Sequence, residues 1–426
     1  MKFSVLNKTL LKNTGVYTLG NILNAIIPFA LMPVMTRYLS PVDYGITTML
    51  AMLIGIVMPF TNLNMAGAIT VDYFKKKYNI RNLISASFFL LIIFSMIAYF
   101  AFVLSGSYIT SWTAFPFEYL WSVVLLCATN YVTLLLQSLY RVRNEPIKCI
   151  SVQILQTLSN ITLSLYMVVE LGMNWQGRVD AQIVTGVIWC FLSCLLIARM
   201  GYIGGKIKYE SIKHLLSFGL PLVPHALSVY FIIAADRVFI TKFCGIADVG
   251  VFSVGYQFGM AIEMITSAFN NAFSPWLYNK LANIKEDTKL HLVKLTYTYI
   301  ILLLLFAILY SIFMPDFLSF FVGAKFHSAY IYVGGFAIAA VFKGMYYMVV
   351  NYIFFVGKTG KLAVITCSSG VLHVIITYFL ISNIGALGAA YAAMITNLVM
   401  LICTWYWSAH VYDMPWFSSR IIRGAK

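Results

Sequence analysis

Thr36-Arg37-Tyr38-Leu39-Ser40-Pro41-Val42-Asp43-Tyr44-Gly45-Ile46 is answered by Thr241-Lys242-Phe243-Cys244-Gly245-Ile246-Ala247-Asp248-Val249-Gly250-Val251, at an offset of 205 positions. A threonine, a base, an aromatic ring, an aspartate, a glycine and a β-branched residue recur at identical spacing. Each copy closes one long apolar run and opens the next. The first copy follows the first run of the chain and the second follows the seventh. The chain therefore reads as a parallel repeat of two six-run halves, 1–205 and 206–426. Where transporters are built from such repeats, the substrate site lies near the midplane between them.

Outward from these copies, the apolar runs fall at 14–36, 44–70, 82–104, 118–139, 149–171, 179–198, 216–241, 249–272, 291–314, 329–356, 362–381 and 385–409. Each is long enough to cross a bilayer, which takes about 20 residues of helix. They are apolar all round, and no period-two alternation competes, so they read as helices. The expected fold is an all-α integral membrane protein. Twelve transmembrane helices form two pseudo-symmetric six-helix bundles around a central cavity.

The charges test this count. With a cytoplasmic N-terminus, the inner segments hold 23 Lys and Arg and the outer segments hold 4, namely Arg37, Arg178, Lys242 and Lys325. Arg237 and Lys343 fall inside runs. Cytoplasmic loops collect Lys and Arg, so the alternation supports twelve spans with both termini inside. The same rule accounts for most of the net charge of +15, which in a soluble chain would have pointed to nucleic acid.

Composition closes off other classes. Of 426 residues, 61% are apolar and 10% charged, and mean hydropathy is +0.86. A typical soluble domain carries about 25% charged residues. A soluble enzyme, a nucleic-acid module and a large extramembrane catalytic domain are excluded. The seven cysteines form no C-x-x-C pair and mostly lie in apolar runs, so no disulfide framework or metal site is expected. Lys2, Lys8 and Lys12 before the first run imitate a signal peptide. The run is too long for one, carries Pro28 and Pro33, and lacks a small-residue cleavage site.

Asp43 and Asp248 are expected to cap the helices that follow them, with the glycine two positions on easing the tight start. Pro28, Pro33, Pro221 and Pro224 lie in the paired first and seventh spans, where kinks suit helices that bend.

The run Pro33-Val34-Met35-Thr36-Arg37-Tyr38-Leu39-Ser40-Pro41-Val42-Asp43-Tyr44-Gly45, the pair Asp236-Arg237, and Phe273-Ser274-Pro275-Trp276-Leu277-Tyr278, together with twelve spans, resemble the Wzx polysaccharide flippases. These are the O-antigen and capsule branch of the multidrug/oligosaccharidyl-lipid/polysaccharide exporter superfamily. The resemblance implies two six-helix bundles around a V-shaped cavity lined by spans one, two, seven and eight. It implies alternating access in a bacterial inner membrane and a cargo of undecaprenyl-pyrophosphate-linked oligosaccharide, moved from the cytoplasmic to the periplasmic leaflet. It further implies membrane lipids, a polysaccharide polymerase and a chain-length regulator as partners. No enzyme activity, cofactor, metal or nucleic acid is called for.

Ionisable residues inside spans are functional candidates, because each costs about 2.5–3.5 kcal/mol to insert. Asp236 and Arg237 lie in the seventh span. Helix neighbours point about 100° apart, so each needs a partner elsewhere. At the repeat offset they match Leu31 and Met32, which makes the charge pair a property of one half. Arg237 is a candidate for the pyrophosphate or an acidic sugar, and Asp236 for a coupling cation or proton. The resemblance adds Arg37 to the substrate contacts, with snorkelling as the structural alternative. Lys343 in the tenth span is a third substrate candidate. Glu263 in the eighth is a second ion-coupling candidate. Similar depth would also let these two pair with each other. His225 and His373 read as hydrogen-bonded packing residues. Rival functions are a multidrug exporter of the same superfamily, whose cationic substrates would want an acidic cavity, and a membrane glycan polymerase or glycosyltransferase, for which the outer loops are short.

Overall fold

The computed structural model describes residues 16, 20, 27, 29–282 and 286–416. All regular structure among them is helical. Ten stretches are long and apolar enough to cross a membrane, and eleven if the bent pair Tyr209–Leu227 and Tyr230–Phe243 is one span. In order they correspond to expected spans two to twelve. Most of the first span, 14–36, lies outside the described residues, as do Pro28, Lys2, Lys8, Lys12, Lys285, Arg420, Arg423 and Lys426. Its last turns are α1, residues 29–38.

The chain divides into two compact units, Met1–Ala234 and Ala235–Lys426. In the first, α1 is followed by α2 (Pro41–Asn62), α3 (Met65–Lys75), α4 (Ile80–Thr113), α5 (Leu120–Val142), α6 (Pro146–Leu165), α7 (Trp175–Arg199) and α8 (Tyr209–Gly219). α5 is the central post. It packs against α2, α4, α6 and α7. Its span is 67% buried, against 17% for those of α4 and α6. Tyr131, Leu135 and Leu139 of α5 meet Leu83 and Leu90 of α4, Met65 and Ile69 of α3, and Leu215 of α8. The contact boundary falls inside the seventh span, because α8 packs on α3 and α4. That packing is close: a Cβ on Gly219 would sit 2.0 Å from the Leu63 carbonyl oxygen. His214 of α8 also meets the buried Asp72 carboxylate of α3 and stacks on Tyr78 at 4.4 Å between centroids.

α9 (Val223–Phe243) crosses the boundary. The second unit continues with α10 (Ile246–Gly259), α11 (Ala261–Ala282), α12 (Glu286–Phe321), α13 (Tyr330–Val356), α14 (Gly360–Ile384) and α15 (Leu387–Val411). Here α13 is the post, packed on α10, α11, α12 and α15, and its span is again 67% buried. Ala337, Val341, Met348 and Ile353 of α13 join Ile262 and Leu277 of α11 and Val293 of α12 in one core. α5 is the fourth span of its set and α13 the fourth of the other, as the repeat requires.

The two aspartates of the repeat behave differently. Asp43 closes a capping box: its backbone N–H donates to Ser40 Oγ at 3.2 Å, and the Ser40 N–H donates to its carboxylate at 3.0 Å. In the second copy the position of Ser40 is taken by Gly245, at φ 100°, and no side chain caps α10. Asp248 sits in the first turn and acts only through the positive end of the helix. The expectation that Asp248 caps fails because its hydroxyl counterpart is missing.

The seventh span is irregular at Pro221 and bends further on, past both of its described prolines. Pro221 lies in a 3-10 turn, Leu220–Leu222. The span bends by 43° between Leu227 and Tyr230.

Candidate functional site

The chemistry-bearing cluster of the second unit is built on α9, α14 and α15. Asp236 of α9 is 4% exposed. Its Oδ1 lies 3.0 Å from His373 Nε2 and accepts from Thr377 Oγ1 at 3.4 Å. His373 and Thr377 are four apart on α14 and so share a face. The other ring nitrogen, His373 Nδ1, is 3.1 Å from Thr396 Oγ1 on α15. The Thr396 hydroxyl can donate its only proton to the Ala392 carbonyl at 2.8 Å. With that proton on the carbonyl, its oxygen accepts from a protonated Nδ1; with the hydroxyl turned to Nδ1, the ring carries its hydrogen on Nε2 instead.

In both arrangements a proton lies between Asp236 and Nε2. With Nδ1 protonated, the Asp236–Nε2 contact needs one further proton, on the carboxyl or on the imidazole. Without it, a carboxylate would face a nitrogen lone pair at 3.0 Å. One exchangeable proton thus ties α9 to α14, and the imidazole ties α14 to α15.

Arg237, one residue on, points to a different side. It is 9% exposed, and its guanidinium lies 5.4 Å from the Tyr256 ring of α10. Such a contact stabilises a cation by about 2 kcal/mol or more when desolvated. The sequence expectation that neighbours on one helix would find separate partners is met: the acid goes to α14 and the base to α10.

Lys343 lies half-buried on α13, its Nζ 5.7 Å from the ring of Tyr346 on the same helix. Glu263 is half-buried in the first turn of α11, where the helix dipole favours a carboxylate. No ion pair joins these two among the described residues. Similar depth along two spans does not by itself bring two side chains within ion-pair distance. Arg37 ends α1 in the first unit and is exposed. Among the described residues no group of three or more His, Cys, Asp or Glu is arranged to hold a metal ion.

One polar centre escaped the sequence reading. Asn351 of α13 is 2% exposed. Its Oδ1 accepts from Ser274 Oγ and Tyr278 Oη, each at 3.0 Å. Its Nδ2 donates to Asn270 Oδ1 at 2.9 Å and to the Tyr347 carbonyl at 2.8 Å. Asn270, Ser274 and Tyr278 recur every four residues on α11, and that polar stripe in an apolar helix was the available signal. The Phe273–Tyr278 run is thereby a brace between α11 and α13. Asn351→Leu removes the acceptor of the Tyr278 hydroxyl and a donor to Asn270, while Ser274 keeps its bond to the Asn270 carbonyl at 2.8 Å. Hydrogen bonds between membrane helices are worth about 0.6 kcal/mol on average and about 1.7 at most. A loss of about 2 kcal/mol is expected, read as a lowered Tm of the purified protein in detergent. An unchanged Tm would mean that the brace carries no net stability.

A family model described as "Polysaccharide biosynthesis protein" matches residues 10–281. The "Lsg locus putative protein 1" of Haemophilus influenzae is 22% identical over 373 residues, covering 85% of this chain and 89% of that protein. Among solved structures, "Lipid II flippase MurJ, inward closed conformation" matches with a TM-score of 0.71 and 12% identity, over 92% of this chain and 86% of its own. The inward-facing conformation of a multidrug resistance MATE family transporter of the MOP superfamily matches with a TM-score of 0.68 and 16% identity, over 91% and 94%. At these identities the structural likeness concerns the fold.

Proposed function

Since this chain belongs to the polysaccharide biosynthesis protein family, we propose that it is a flippase for undecaprenyl-pyrophosphate-linked oligosaccharide repeat units, of O-antigen or a similar surface polysaccharide. It works by alternating access and is driven by protons. The observation that carries this reading is Arg237, a guanidinium 9% exposed inside an apolar helix and braced on an aromatic ring. A fixed cation at membrane depth suits a pyrophosphate or an acidic sugar. It is the wrong sign for the cationic substrates that a multidrug exporter would take. One fold relative, a lipid II flippase, agrees with it.

The glycan and its pyrophosphate must cross about 30 Å of hydrocarbon. A cationic path lowers that barrier while the prenyl tail stays in lipid. Arg37, Arg237 and Lys343 are the bases proposed to meet the anionic headgroup. The membrane potential favours outward movement of an anion by about 2.3 kcal/mol per charge per 100 mV. Resetting the empty carrier needs a second ion. The Asp236–His373 pair holds one exchangeable proton, and an imidazole suits a proton better than hard cations, which take oxygen ligands. Glu263 is a second carboxylate open to the same role. The proposed setting is the bacterial inner membrane with both termini cytoplasmic, where the family's polymerase and chain-length regulator would receive the product.

The test is a strain lacking this gene, in which the membrane face of undecaprenyl-linked glycan is determined. Completed repeat units on the cytoplasmic face, cleared by the wild-type gene, are expected. Normal sidedness without accumulation, with redundancy excluded, would remove the flippase reading. A change in drug sensitivity alone would move the assignment to multidrug export.

A further inference from the structure

Arg178 counts by sequence as one of the few bases of the outer segments. The structure places it in the first turn of α7, inside the first unit. Its Nη1 donates to Asn160 Oδ1 at 2.6 Å and to Ser164 Oγ at 2.5 Å. Asn160 and Ser164 are one turn apart on α6, so both face α7. Ser164 spends its own proton on the Asn160 carbonyl at 2.6 Å. Its oxygen is therefore held as an acceptor. The phenol of Tyr44 is within electrostatic reach of the guanidinium.

Every one of these neighbours is formally neutral. Arg178 is partly buried, and among the described residues no carboxylate pairs with it. Both of its hydrogen bonds are made by Nη1. The edge formed by Nε and Nη2 makes no hydrogen bond, and neither atom is among the sealed, unpartnered buried polar atoms. The guanidinium is thus clamped through Nη1 and makes no hydrogen bond along its Nε–Nη2 edge. That edge presents two parallel N–H donors, the fork that matches two oxygens of a phosphate or carboxylate.

The backbone beside it is also built for close approach. After α6 the chain winds into a π-helical segment, Tyr166–Glu170. Single π turns of this kind are frequent at functional sites. The segment lies against the start of α7 only because residue 177 is glycine. A Cβ there would be 2.8 Å from Met173 Cβ and 3.2 Å from the Met167 carbonyl carbon. Gly177 directly precedes Arg178, so the same contact that admits the π turn fixes the base.

We propose that Arg178, clamped by Asn160 and Ser164, forms with Tyr44 an oxyanion site of the first unit, which takes a phosphate-type group through its Nε–Nη2 edge. The site lies at the Lys- and Arg-poor end of its span. In the orientation proposed above this is the periplasmic side, so it would receive the pyrophosphate after passage. That use rests on the flippase reading; the site itself does not. A membrane phospholipid could present the same phosphate chemistry.

The experiment is the rate at which phenylglyoxal modifies Arg178 in the full-length protein, read by peptide mass spectrometry so that other arginines do not interfere. In vesicles of phosphatidylcholine alone, Arg178 is expected to react. Addition of undecaprenyl pyrophosphate should slow it at least fivefold if the cargo headgroup is the ligand. Vesicles with phosphatidylglycerol and no added pyrophosphate should slow it equally if the lipid phosphate is. An Arg178 that does not react, or that reacts at one rate in all three, overturns the site. The double variant Asn160→Leu, Ser164→Ala should leave Arg178 reactive but unprotected; protection as strong as in the wild type would show that the clamp does not build the site. Loss of protection with glycan sidedness as expected would remove this site alone. Protection with normal sidedness in the deletion strain would remove the flippase reading alone.

Discussion

Arg237→Ala, supplied to the deletion strain, should leave completed lipid-linked glycan on the cytoplasmic face and reduce surface polysaccharide about 10- to 100-fold. A hydrogen bond to a charged group contributes about 1.5–3 kcal/mol, which is that range in a rate or an affinity. The side chain lies over Tyr256 at 5.4 Å, so alanine also removes packing. Two controls separate the effects. Yield and Tm of the purified variant report folding. Arg237→Lys keeps the charge and loses the fork, so it should restore part of the transport while alanine restores none. Wild-type sidedness with Arg237→Ala would show that the guanidinium does not meet the cargo, whatever the protein carries.

Asp236→Asn should uncouple transport from the proton gradient. The amide can keep a hydrogen bond to His373 Nε2 by donating to it, so the links from α9 to α14 and from α14 to α15 survive. What is lost is the exchangeable proton. In proteoliposomes, wild-type translocation of undecaprenyl-linked glycan should accelerate when a proton gradient is imposed. The variant should run at one rate with or without the gradient, within about threefold of the ungraded wild-type rate; this expectation follows from the conserved geometry and the order of a single net hydrogen bond. His373→Ala should do more damage, since it leaves the Asp236 carboxylate, 4% exposed, with only Thr377 for company. A buried group stranded in this way costs about 1–3 kcal/mol, and expression should fall with it. A gradient response that persists in Asp236→Asn would rule the pair out as the coupling site and leave Glu263 as the candidate to test.

Run length and charge alternation were enough to find the spans, because both are one-dimensional consequences of a bilayer: apolar length and the side on which bases are retained. Spans two to twelve stand where the apolar runs stand. Their ends moved where a polar first turn continues a helix. Trp175-Gln176-Gly177-Arg178 looks like loop and is the start of α7, so a charge that run length assigns to the outer segment sits on a helix. Partnerships were a different matter. Asp236 meets His373 across 137 positions, and only the packing of α9 on α14 decides it. Glu263 and Lys343 share a depth but form no ion pair among the described residues. The chain carries the depth of each residue in its numbering and leaves the azimuth to the interdigitation of side chains.

The burial of α5 and α13 bears on how the protein is made. Each central post carries polar side chains, Gln137 in one and Asn351 in the other, that face protein in the finished unit. Their spans are also less apolar than the outer spans that precede them, with hydropathies of 1.7 and 1.6 against 2.5 and 2.3 for the spans of α4 and α12. Synthesis delivers spans one at a time, so each post must enter the bilayer before all the helices that will surround it exist. A polar group in hydrocarbon is costly, and the early helices α4 and α12, both strongly apolar, precede their posts and can receive them. Each half thus matures as a cooperative set: the outer spans anchor first, and the post becomes at home in the membrane only as its wall closes.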